Sequence, residues 1–148
     1  MTSLPTIVRD LVHLAQKAAQ ADAAGLWLLD SSGKTLRNVV YDGLPQQHID
    51  CVRELPLGSM TCGRAVLERK PVVERDIRND PEYKAAWKTP VRGCFSVPVI
   101  GYGGRIHGSL ACHFTKVHSP SPYDIERNQL FAQLIAFAID ESSAKSAA

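Results

Sequence analysis

Near the start of the chain, apolar residues recur at Ile7, Leu11, Leu14, Ala15 and Ala18, the three-and-four spacing of a helix with one buried side. This spacing predicts an amphipathic helix over residues 4–21, stopping near Asp22. The period then changes. "AAGLWLLD" is apolar almost throughout and reads as a buried strand, "SSGK" (Ser31–Lys34) as a turn, and "TLRNVVYDG" as the return strand of a hairpin. A short helix is expected from Pro45 to Arg53, before a turn at Pro56–Gly58.

Further on, "PVVERDI" reads as a short strand. "NDPEYKAAW" has the marks of a helix start: Asp80 can cap, Pro81 suits the first helical position and Glu82 complements the helix dipole. "CFSVPVIGYGGRIHGSLACHF" predicts two strands around the turn Gly101–Gly104, with Pro98 marking an edge or a bulge. Ser121, Pro122 and Asp124 open a last helix over residues 122–145, with Ile125, Leu130, Leu134, Phe137 and Ala138 along its apolar side. Hairpin-joined strands with helices bunched at both ends predict an α+β fold. Its centre is an antiparallel sheet of five to six strands. The N- and C-terminal helices pack on one face, and short helices and loops cover a ligand pocket on the other. No internal repeat or linker divides the chain, so residues 1–148 read as a single domain.

Composition fits this picture. Of 148 residues, 45% are apolar and 22% charged, enough to build an ordinary core. No apolar run approaches the roughly 18 residues of a membrane span, and Arg9 and Asp10 interrupt the first apolar pattern, unlike a signal peptide. A cytoplasmic protein without membrane contact is the expectation. The net charge is +2, from 17 basic and 15 acidic residues that are scattered along the chain, which argues against a nucleic-acid partner. The four cysteines, Cys51, Cys62, Cys94 and Cys112, contain no C-x-x-C pair, so neither a zinc site nor a dithiol motif has local support.

Four segments carry a resemblance. "GSMTCGRAV", "VVERDIRNDPEY", "RGCFSVPVIGYGGRIHGSLACHF" and the P-x-x-x-E entry to the last helix resemble, in that order, segments of a GAF-domain subgroup found as the input domain of bacterial sensor histidine kinases. The resemblance runs from about Ile7 to Ile139. It implies a small-molecule sensor, a homodimer formed through the first and last helices, and a downstream kinase or other output domain. No kinase core follows within the chain, which is therefore expected to be a piece of a longer protein. The sequence departs from the subgroup at Phe95, where tryptophan is usual, and at Met60 or Thr61, one of which lengthens the "GSCG" turn.

The pocket implied by the resemblance would be walled by Trp27 and Leu29 from the first strand and by Tyr41 from the second. Leu57, Met60 and Cys62 would come from the turn, Tyr83 and Trp87 from the later helix, and Phe95, Ser96 and Val97 from the next strand. A relative with this fold binds nitrate at this turn, which suggests a small anion as the ligand.

Cys62 has three readings. Unpaired N–H groups at a helix N-terminus attract anions and lower a thiol's pKa, so Cys62 is a candidate pocket wall or, as a minor option, a redox sensor; the favoured reading is a small side chain packed at a crowded junction. The stretch also resembles the two-cysteine segment of free methionine sulfoxide reductase, a GAF enzyme. That enzyme's further cysteine would fall near Trp87, which has no thiol, and Cys94 sits within a strand. The expectation is no catalysis, no cofactor and no metal; the reductase and a ligand-free dimerisation module are the alternatives. Cys112 and His113 should point to opposite faces of their strand. His107 and His113 should share a face, about 20 Å apart, too far for one metal ion.

Overall fold

The computed structural model describes residues 4–43 and 46–147. Pro45, at the start of the predicted short helix, lies outside them. The chain runs α1 (Thr6–Ala19), β1 (Ala23–Leu29), β2 (Thr35–Asp42), α2 (Gln46–Val52), β3 (Glu54–Pro56), α3 (Met60–Glu68) and β4 (Val72–Glu74). Two 3-10 turns follow (Ile77–Asn79 and Pro81–Ala86), then β5 (Gly93–Ile100), a 3-10 turn at Tyr102–Gly104, β6 (Ile106–Phe114) and α4 (Pro122–Ala147). The strands form one curled antiparallel sheet in the order β3-β2-β1-β6-β5-β4. The α+β expectation holds. The strand that the pattern did not predict is β3, whose three residues are too few to display a period.

Start signals held where a side chain could act locally. Ser121 Oγ accepts from the Asp124 N–H while Asp124 Oδ2 accepts from the Ser121 N–H, both at 3.1 Å, a reciprocal cap with Pro122 at the first helical position. Asp80 Oδ1 accepts from the Glu82 N–H at 3.0 Å, although what it opens is a 3-10 turn. Pro98 lies where β4 has ended: β4 pairs with Cys94–Ser96 only, so the missing N–H costs no ladder bond on that side.

Two cores sandwich the sheet. On one side Val8, Val12 and Ala15 of α1 and Ala132, Ile135 and Ala136 of α4 pack on Leu26, Val40, Phe95, Val97, Leu110 and Cys112. On the other side Ile49 and Val52 of α2 and Cys62 and Val66 of α3 pack on Trp27, Leu36 and Ala111. Two bulges change strand parity. In β2 the register slips opposite Leu26/Trp27, so Leu36 and Val40 face opposite sides despite their even spacing. In β6, Gly108 pairs with Val99 and Ile106 with Ile100, which leaves His107 as the extra residue.

α4 corrects one expectation. Its packed side is Ala132, Ile135 and Ala136, whereas Leu130, Leu134 and Phe137 are 56%, 52% and 54% exposed. The helix is apolar on two sides, and only one of them meets the sheet.

Candidate ligand-binding site

The face away from α1 and α4 is where the GAF resemblance places a pocket, and α3 begins there. Gly58 and Met60 both adopt left-handed backbone conformations (φ +85° and +57°), which absorb the extra residue of the turn. A Cβ on Gly63 would lie 2.6 Å from the Pro56 carbonyl oxygen, so α3 can start this close to β3 only with glycine at that position.

The first N–H groups of α3 do not await a ligand. The Met60 N–H donates to Glu82 Oε1 at 2.6 Å and the Thr61 N–H to the Tyr83 hydroxyl at 2.7 Å. The Asp80 cap turns the Pro81–Ala86 segment so that these two side chains reach back to the helix. The carboxylate of Glu82 thus takes the position that a small anion was expected to fill, and the dipole argument is satisfied from within the chain. Arg64 sits beside this contact, its Nη2 3.7 Å from Glu74 and 3.8 Å from Asp80.

Cys62 is buried, and its thiol lies 3.3 Å from the Ser96 hydroxyl. Ser96 Oγ also meets Thr61 Oγ1 at 2.8 Å, and Cys94 donates to the Tyr83 hydroxyl at 3.8 Å. Burial pushes the Cys62 thiol up to about 12 and the Cys94 thiol up to about 11. At Cys62 desolvation is the largest influence, and it favours the protonated thiol over the thiolate. Cys51 is half-buried, its thiol donating to the carbonyls of Gln47 and Ala85 at 3.3 and 3.5 Å.

A second polar group was not foreseen. His48 of α2 and His113 of β6 are buried against each other edge to face, with ring centroids 4.9 Å apart. Thr89 Oγ1 donates to the Ala86 carbonyl at 2.7 Å, so it accepts from His48 Nδ1 at 2.9 Å; His48 therefore carries its proton on Nδ1. His113 Nδ1 meets the Tyr41 hydroxyl at 3.1 Å, and Trp27 packs beside both. Burial lowers His48 to about 4 and takes His113 well below the ordinary histidine range, its nearness to His48 adding to the effect. Burial likewise raises Tyr41 and Tyr83. The sequence signal for His48 was its place with Ile49 and Val52 on one side of a short helix.

Of the predicted walls, Trp27, Leu29, Tyr41, Leu57, Met60 and Cys62 belong to one cluster on this face. Tyr83 and Trp87 belong to its neighbour, which Met60 joins to the first; the Trp87 indole donates to the Ile77 carbonyl at 2.7 Å. Ser96 faces the same way through Thr61 and Cys62. Phe95 and Val97 do not. They lie in the core under α1 and α4, because successive strand residues alternate and Ser96 takes the other side. Cys112 and His113 do point oppositely, to Asn128 of α4 and to Tyr41. His107 does not share the face of His113, since the bulge turns it to Asp140 of α4. Among the described residues no group of three or more His, Cys, Asp or Glu side chains could hold a metal ion. Among them, too, no helix is long and apolar enough to cross a membrane.

The class of domain follows from this arrangement: a curled antiparallel sheet backed by the two terminal helices, with polar side chains enclosed under short helices on its other face, is an α+β domain. A family model described as GAF domain matches residues 1–140, and the chain belongs to the GAF family. It is similar to a domain assigned to a two-component sensor histidine kinase of Sinorhizobium meliloti 1021, with a TM-score of 0.80 at 17% identity over 99% of this chain and 97% of that one. The free methionine-R-sulfoxide reductase of Neisseria meningitidis, solved with its substrate, superposes with a TM-score of 0.77 at 20% identity over 94% of this chain and 78% of that one. In sequence the chain is 24% identical to the methyl sulfide methyltransferase-associated sensor of Methanosarcina acetivorans, over 98% of this chain and 15% of that protein.

Proposed function

We propose that the chain is a non-catalytic, cytoplasmic sensor module, the input domain of a sensor histidine kinase. In this reading it binds a small molecule between the sheet and the α2–α3 layer and reports occupancy through α1 and α4. The observation that carries the reading is the state of the cysteines: Cys62 and Cys94 are enclosed, hydrogen-bonded and held protonated, the reverse of what sulfoxide reduction asks of a thiol. The enclosed hydroxyls and imidazoles beside them supply polar contacts of the kind that orient small ligands. The sensor-type relatives support the same reading; the reductase neighbours share the fold.

The second apolar side of α4 supports a homodimer. Leu130, Leu134, Phe137 and Glu141 follow the four-three-four spacing of a helix–helix seam, and a groove of about 560 Å³ between α1 and α4 is lined by Ile7, Leu11, Leu134 and Phe137. Two copies would cover these positions by pairing their α4 helices.

NADPH-coupled reduction of free methionine sulfoxide tests the catalytic alternative. Purified protein is expected to show no turnover above the thiol blank, and Cys62→Ser no change. Turnover lost in Cys62→Ser or Cys94→Ser would replace the sensor reading with the enzyme.

A further inference from the structure

The β5–β6 hairpin ends in a structure that nothing in the pocket requires. Asp140 of α4 holds this tip with both carboxylate oxygens: Oδ2 accepts from the Tyr102 N–H at 2.8 Å and Oδ1 from His107 Nε2 at 2.8 Å. The Tyr102 hydroxyl donates to Glu141 at 2.5 Å, and its ring lies edge-on to Phe137 at 6.2 Å between centroids. Side chains of His107 and Asp140 are only 12% and 11% exposed, so their hydrogen bond is shielded from solvent. Gly101 makes room for this fit, because a Cβ there would lie 2.1 Å from Asp140 Oδ2 and 2.6 Å from His107 Nε2. His107 reaches α4 because it is the extra residue of the bulge; without the bulge it would face the other layer.

We propose that this hairpin tip is a clasp that sets the position of the last third of α4 and transmits displacements of β6 to it. The proposal rests on the sensor reading above and names its route. β6 carries His113 and Ser109 on the enclosed face and His107 at the clasp, so one strand joins the candidate site to the helix that would report it. The clasp also holds two residues of the exposed seam, Phe137 and Glu141, and so fixes what α4 offers to a second copy. The middle of α4 is held differently, by Ala132, Ile135 and Ala136 in the core.

Amide hydrogen exchange along α4, with sedimentation equilibrium for the dimer, tests this in the whole chain. Asp140→Ala removes both acceptors, and Gly101→Ala crowds the Asp140 carboxylate and the His107 ring out of their contact without removing either. Both variants are expected to speed exchange at residues 137–145 by about tenfold or more relative to 132–136, and to weaken the dimer. Ser109→Ala or His113→Gln, which disturb β6 from the enclosed face, should alter exchange at 137–145 only while Asp140 is intact. Unchanged exchange at 137–145 in both clasp variants would overturn the proposal. So would an equal response to the β6 substitutions with and without Asp140. A monomeric wild-type protein would remove the dimer reading, and the exchange contrast would then decide the clasp alone.

Discussion

Acidification from pH 7 to pH 4 is expected to remove more than about 3 kcal/mol of folding stability through His48 and His113, in addition to any general acid effect. Both rings are neutral in the fold, and the groups facing them bring no negative charge to compensate a proton: Tyr41 from β2, Trp27 from β1, Thr89 and the Ala86 carbonyl from the turns, and each other. A folded-state value below that of the unfolded chain means that the unfolded state binds the proton first. The stabilising contribution of the neutral rings is therefore complete above about pH 6.5 and is lost as the pH falls toward the folded-state value. For His48, lowered from 6.5 to about 4, that loss is about 3 kcal/mol, and His113 adds to it in the same direction. Denaturant unfolding at a series of pH values measures the slope directly. His48→Gln should cost stability at pH 7 yet flatten the slope between pH 6.5 and 4. An unchanged slope in that variant would mean that His48 is hydrated or charged in the fold.

The second large effect comes from a residue with no side chain. Gly108→Ala is expected to cost on the order of 3 kcal/mol or more, a large share of the stability of an ordinary domain. The new Cβ would lie 1.9 Å from the Trp27 carbonyl oxygen, in the ladder that joins β1 to β6 at the centre of the sheet. Neither neighbour can yield: the Trp27 indole is fixed by its bond to the Val52 carbonyl at 2.7 Å, and β6 is held on its other side by β5. Gly103→Ala supplies the contrast. Gly103 has φ +65° but nothing within 4 Å of a built Cβ, so only backbone strain of about 1–2 kcal/mol is at stake. Thermal unfolding of the two variants separates lack of space from lack of conformational freedom. Equal losses would contradict the packing described for β1 and β6.

Both effects lie at positions that the hydrophobic pattern did not single out, and the reason is physical. Periodicity reports which residues share a face as long as the period is unbroken. It located α1, the β1–β2 hairpin, β5, β6 and α4 along the chain, although on α1 the buried side runs through Val8, Leu11, Val12, Ala15 and Ala19 while Ile7 and Leu14 are half exposed. Ser121 and Asp80 marked element starts because their hydrogen bonds are local. A bulge inserts one residue without changing composition, so the turning of His107 toward Asp140 left no trace in the pattern. Phe95 and Val97 were legible and misassigned: alternation alone separates them from Ser96, and the pocket could take only one side of the strand. The α4 error has another cause. A helix with two apolar sides has a weak moment, and Leu130, Leu134 and Phe137 attract the eye because they are larger than the Ala132 and Ala136 that meet the sheet. At α3 the turn itself was foreseen. What fills it was not, because Glu82 and Tyr83 arrive from 22 residues away and a long-range partner has no local signal.

In the proposed reading, the enclosed face is a binding compartment whose occupancy is felt by the terminal helices, with its cysteines as walls. Unfolding free energy of the purified chain, measured against a panel of nitrate, nucleotides and amino acids, tests it most directly. A true ligand at a hundredfold excess over Kd should raise stability by about 2.7 kcal/mol, and Ser96→Ala or His113→Gln should reduce that gain. A panel without any stabilising member, or a gain untouched by both substitutions, would contradict the claim and favour a module that only dimerises.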